Sequence, residues 1–188
     1  TLSIDPTLWI SAAAILLLLV FSGFFSGSET ALTAASRGKL KASADRGQKG
    51  AARALELKED NERLIGGILL GNNLANILAT SLATVLITAL LGERGVAAAT
   101  LVMTTLVLIF AEALPKTYAI NDPERAASRV ALPIKLIIAA LAPLVALVRV
   151  IVRGVLRIFG LKIDPGAQML SVHEEIAGAL SIGHSEGV

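Results

Sequence analysis

Five polar side chains stand inside stretches that are otherwise apolar: Ser22, Ser26, Asn72, Asn76 and Glu112. Their chemistry is of one kind. Two hydroxyls, two carboxamides and one carboxylate supply hard oxygen donors, the set that suits Mg²⁺, Ca²⁺ or Na⁺ rather than Zn²⁺ or Cu⁺. The chain has no Cys, and its two histidines, His173 and His184, fall in a polar C-terminal tail. Thiolate sites are excluded and a buried imidazole centre is disfavoured. No nucleophile–base pair and no phosphate loop stands out, so an enzyme is not expected.

The spacing brings these residues together. Ser22, Ser26 and Glu29 follow i, i+4, i+7, Asn72, Asn76 and Thr80 follow i, i+4, i+8, and Thr105 and Glu112 follow i, i+7, so each set shares one helix face. Glu29 lies eight residues before Arg37, Asn72 nine after Arg63, and Glu112 nine before Asn121. On helices this puts all three roughly 12–14 Å from one membrane boundary, near the midplane. A carboxylate there costs about 2.5–3.5 kcal/mol and marks an ion pathway by default. Pro115 has no N–H to donate, so “EALP” also offers the carbonyl of Ala111 beside Glu112.

Plainer readings stay open for each residue. Gly23 and Gly27 in “SGFFSG” form a small-xxx-small packing signature, so Ser22 and Ser26 also fit close helix approach. Asn72 and Asn76 also fit interhelical hydrogen bonding, Glu112 fits an ion pair with Lys116 four residues on, and Glu29 fits an approach to the interface near Arg37.

These side chains need helices to hold them, and the composition supplies them. Of 188 residues 54% are hydrophobic, and the mean hydropathy is +0.72, above the soluble range. Apolar blocks at 8–25, 64–91 and 96–111 are long enough, or nearly so, to cross a bilayer; a fourth at 131–148 is interrupted by Pro133, Lys135 and Pro143. Eight of the 17 Lys and Arg lie between Arg37 and Arg63, none precedes the first block, and only Arg94 falls in the “GERG” link. The positive-inside rule then places the N-terminus outside and the C-terminus in the cytoplasm, and a pI near 9.2 reads as topology rather than nucleic-acid binding. Trp9 and Tyr118 fall at opposite interfaces.

A spanning fourth block would put Arg149, Arg153, Arg157 and Lys162 outside, against that rule, so 131–159 is read as a juxtamembrane hairpin that dips in and returns; a fourth span is the alternative. The expected fold is an all-α membrane protein with three transmembrane helices plus this re-entrant hairpin. The divisions are a first transmembrane helix in 1–36, a cytoplasmic helical linker in 37–63, the second and third transmembrane helices in 64–120, the hairpin in 121–162, and the start of a cytosolic region in 163–188.

“FSGFFSGSETAL”, “ILLGNNLANI” and “IFAEALPK” occur in order on three helices. Together they resemble the transmembrane domain of the CorC / cyclin M (CNNM) family of magnesium transporters. The resemblance implies a homodimer that exports Mg²⁺ in exchange for Na⁺ as counter-ion. It implies Ser22, Ser26, Asn72, Asn76 and Glu112 as the ion-site residues, the same set that depth selects, and a cytosolic CBS-pair domain following the tail. It leaves the roles of Glu29, Asn73 and Lys116 open. The expected function is a secondary transporter in a bacterial-type inner (plasma) membrane. The alternative is a non-transporting membrane anchor and dimerisation module for a cytosolic regulatory domain.

Overall fold

Asp5 starts the first helix, α1 (Pro6–Ala34): its side chain accepts from the Thr7 N–H, and Pro6 takes the first helical position, where no donor is missed. The structure, a computed structural model, describes residues 5–161. His173, His184 and the expected cytosolic region 163–188 lie outside the described residues. Every regular element within them is helical.

The basic stretch forms two short helices, α2 (Arg37–Asp45) and α3 (Lys49–Glu59), joined through Gly47 at φ +90°. These helices are charged on the outside and bury only Leu40, Ala51 and Ala54. Leu40 is fully buried, worth about 1.5–3 kcal/mol, and pins α2 to the bundle. Lys58 of α3 donates to the carbonyls of Leu32 and Thr33, capping the end of α1. Burial, then Arg37 nearby, holds the Lys58 ammonium below its ordinary pKa.

Asp60 caps α4 (Asn61–Leu91) by accepting from the Arg63 N–H at 3.2 Å. Gly92 at φ +68° ends it, and a 3₁₀ turn, Gly92–Arg94, leads into α5 (Gly95–Leu106). At Gly95 a Cβ would sit 2.7 Å from Thr88 Cα, so only glycine lets α5 fold back against α4 this tightly. The chain continues through a π-helical segment, Val107–Ala113, to α6 (Leu114–Asn121) and then α7 (Pro123–Ile158).

Among the described residues three helical runs are long and apolar enough to cross a membrane: Pro6–Ala34, Asn61–Asn121 and Pro123–Ile158. The middle run folds back at Gly92, so it holds the expected second and third passes as two legs. Large apolar side chains such as Leu16, Val20, Ile77 and Leu101 are more than half exposed, as a lipid-facing surface requires.

The fourth block differs from expectation. Instead of reversing, the chain stays helical from Pro123 through Pro133 and Pro143 to Ile158. Proline removes one hydrogen bond and bends a helix, but “LAPLVAL” has no glycine or turn residue with which to reverse it. Lys135, read as an interruption, is a tether: its ammonium lies 3.1 Å from the Glu56 carboxylate of α3. Residues 146–158 form the last turns of α7, exposed along Val150, Ile151 and Val155, with Arg149, Arg153 and Arg157 at four-residue steps. They give way to Gly160 with φ +75°.

Two apolar clusters fill the bundle. One, at the basic end, includes Leu32, Leu40, Ile68 and Ile134; the other, toward the Gly92 turn, includes Ile15, Leu19, Ala83 and Met103. The polar residues of α1 and α4 lie between them in the chain's own helical order.

Candidate cation site

The layer is built from three helical legs. Ser22 of α1 is fully buried, and its hydroxyl oxygen lies 2.6 Å from Asn72 Oδ1 and 2.7 Å from Asn76 Oδ1 of α4. A hydroxyl carries one hydrogen, so it can donate to only one of these oxygens at a time. Two amide oxygens and a hydroxyl thus converge on one spot, an oxygen-rich arrangement that a cation can share. Asn76 Nδ2 donates to Asn72 Oδ1 at 3.5 Å, and Asn72 Nδ2 donates to Glu112 Oε1 at 3.4 Å. The carboxylate is thereby linked to the layer at long hydrogen-bond distance.

Ser26, one turn along α1, is also fully buried, and its Oγ has no hydrogen-bond partner. An orphaned buried hydroxyl costs about 1–3 kcal/mol, an expense that a ligand would remove. Among the described residues no three His, Cys, Asp or Glu side chains cluster, so a guest here meets one carboxylate and neutral oxygens. That donor set fits a hard, oxygen-seeking cation.

Glu112 has a second partner. Its Oε2 lies 3.1 Å from Lys116 Nζ, a pair across one helical turn with 46% of the lysine side chain and 29% of the carboxylate side chain exposed. The ion pair engages one carboxylate oxygen of Glu112 and leaves the other facing Asn72. Glu112 also borders a pocket of about 350 Å³ with Thr80, Thr100 and Thr104, so space adjoins the carboxylate.

The π segment sets this geometry. The Leu114 N–H reaches back five residues to the Ile109 carbonyl. In that register the carbonyl that Pro115 leaves without a donor is that of Phe110, not Ala111 as an ordinary helix predicts. It points at α1: a Cβ on Gly23 would sit 3.1 Å from the Phe110 oxygen. The wider turn also breaks the expected i, i+7 pairing. Thr105 is exposed and donates to Leu101 within its own helix, away from the layer. Thr80 and Asn73 are exposed as well, and Glu29 is half-buried without a partner among the described residues. Pro115 after a mid-membrane acid was the available signal for the irregular turn.

Apolar helices exposed to lipid around one oxygen-lined layer define a multi-pass membrane protein. The chain belongs to the family described as the cyclin M transmembrane N-terminal domain, which matches residues 13–188. It is similar to the UPF0053 inner membrane protein YfjD of Escherichia coli, 42% identical over 76% of this chain and 33% of that protein. A UPF0053 protein of Haemophilus influenzae is 36% identical over 85% of this chain and 38% of its own length. A chloroplastic DUF21 domain-containing protein of Arabidopsis thaliana is 35% identical over 77% and 22%. The chain thus spans between about a fifth and two fifths of these relatives.

Proposed function

We propose that this chain is the membrane domain of a Mg²⁺ transporter that exports the ion, coupled to Na⁺ entry, from an oxygen-lined site between α1, α4 and the α5–α6 leg. The observation that carries the reading is the Ser22 hydroxyl held 2.6 and 2.7 Å from two amide oxygens, with Glu112 one hydrogen bond away. Glu112 supplies the formal charge, and Ser22, Ser26, Asn72 and Asn76 replace part of the hydration shell. One carboxylate against a divalent ion leaves the site net positive, which favours weak binding and ready release, as alternating access requires. Na⁺ at the same carboxylate gives exchange.

The protein acts as a homodimer in a bacterial-type plasma membrane, N-terminus outside and C-terminus in the cytoplasm. The orientation rests on the distribution of Lys and Arg, the membrane on the similarity to a protein named as an inner membrane protein, and the homodimer on the resemblance of the three motifs to the family. A CBS-pair domain following the tail is the expected regulatory partner.

The test is Mg²⁺ flux in proteoliposomes containing this chain, read with an internal Mg²⁺ indicator. Wild type moves Mg²⁺ and Glu112→Gln does not, while both unfold at similar temperatures. Equal flux in the two, with Glu112→Gln folded, removes Glu112 from the site. The second reading, a membrane anchor held together by polar glue, is favoured by the Glu112–Lys116 pair. It predicts no flux in either protein.

A further inference from the structure

The bundle holds another recess that takes no part in the oxygen layer. It encloses about 480 Å³ between α1, α6 and the first turns of α7, at the basic end of the molecule. Its inner wall includes Ser28, Pro115 and Ala119; its outer wall carries Tyr118, Arg125 and Arg129. Ser28 and Ala119 are buried, whereas Tyr118 is 71% exposed and both arginines face outward. The recess therefore runs from an apolar interior to a cationic mouth.

The mouth is under-neutralised. Arg125 and Arg129 stand one helical turn apart, and neither side chain has an ion pair or hydrogen bond among the described residues. Asp122 also borders the recess, but its Oδ1 accepts from the backbone N–H of Arg125 at 3.4 Å, capping α7 rather than pairing with a guanidinium. A second observation points inward: Ser28 is 1% exposed, and its Oγ has no partner. Two free guanidinium forks, an orphaned hydroxyl and an apolar wall at the end of a membrane bundle suit one class of ligand. Arginine forks match phosphate oxygens, basic groups at a membrane boundary attract anionic lipid, and a tyrosine ring sits well at headgroup level.

We propose that this recess is a binding site for an anionic phospholipid. Arg125 and Arg129 clasp the headgroup phosphate, Tyr118 lies beside it, and an acyl chain runs along Pro115 and Ala119. The apolar wall separates this occupant from a free phosphate, which the two arginines would also hold.

Native mass spectrometry of the detergent-extracted chain tests the site, with dioleoyl phosphatidylglycerol, dioleoyl phosphatidylcholine and inorganic phosphate as probes. Wild type is expected to retain phosphatidylglycerol about tenfold over phosphatidylcholine, and Arg125→Gln/Arg129→Gln to erase that preference. Lys41→Gln/Arg46→Gln removes the same charge from the same end and is expected to keep it. Preference that survives the Arg125/Arg129 change, or falls equally with Lys41/Arg46, overturns the proposal. Displacement of the lipid by millimolar inorganic phosphate also overturns it, in favour of a free-phosphate site. Should the glutamine variant fail to fold, Arg125→Lys/Arg129→Lys decides: it keeps charge and loses the fork, so weaker retention of phosphatidylglycerol supports the site and unchanged retention overturns it.

Discussion

Two adjacent faces of α1 use the same few residues in opposite ways. On one, Gly23 and Gly27 meet α6 and the π segment: a Cβ on Gly23 would lie 3.1 Å from the Phe110 oxygen and 3.2 Å from Pro115 Cγ, and one on Gly27 3.4 Å from Pro115 Cβ. On the other, Ser22 and Ser26 turn fully buried hydroxyls into the bundle, the first against the amides of α4. Small residues at four-residue steps permit close packing, and hydroxyls at the same steps line a polar layer. “SGFFSG” does both because its serine and glycine pairs are offset by one residue, about 100° around the helix. Packing and ligation are therefore not rival explanations of the motif. The glycine face sets how near the π segment comes, and so where Glu112 stands.

The contrast breaks most sharply at Gly23. Gly23→Leu forces α1 away from a backbone carbonyl that cannot yield, and should cost about 3 kcal/mol in thermal or denaturant unfolding. Ser22→Ala tests the other face with little overpacking. It should lower Mg²⁺ affinity about tenfold, read as a reduced Mg²⁺-dependent rise in melting temperature. A melting shift like that of Gly23→Leu, with Mg²⁺ protection retained, would make the serine a packing residue after all.

Lys116→Gln sharpens the role of the carboxylate. The ammonium 3.1 Å from Glu112 is a tethered cation that any guest must compete with. For a half-exposed pair its removal should raise Mg²⁺ affinity about two- to fivefold in the same assay; a fall would make Lys116 a support of the site. The smallest effect belongs to Gly27→Ala, whose added carbon meets Pro115 at ordinary contact distance. Its stability should change by less than about 0.5 kcal/mol.

The oxygen layer was legible in the sequence because it depends on two things that sequence carries: residue type and helical period. Counting from Arg37 and Arg63 set Glu29 level with Asn72, whereas in the structure it is Ser22, seven residues further from Arg37 on the same face of α1, that meets Asn72 and Asn76. The family followed from the same residues. Apart from Pro115 at its end, nothing marked the π segment, since “VLIFAEA” contains nothing that prefers an i→i+5 bond; it packs against α1 at Gly23. That one irregular turn moved Thr105 off the shared face and transferred the uncapped carbonyl from Ala111 to Phe110. The course of α7 was misread for a different reason. Lys135 in an apolar block and two prolines suggest an interruption, yet the lysine answers Glu56, 79 positions earlier in the chain, which no local pattern reveals.

The Ser36 N–H at the α1–α2 junction donates to Glu124 Oε1 at 3.0 Å, across 88 residues of chain. During synthesis that donor has no such acceptor until the start of α7 has been made, about 4–18 s later at ~5–20 residues per second. The first helix to be made thus waits longest for this one contact at its end. Its basic end, already held to α3 through Lys58, gains this further tie only after α4, α5 and α6 have been made.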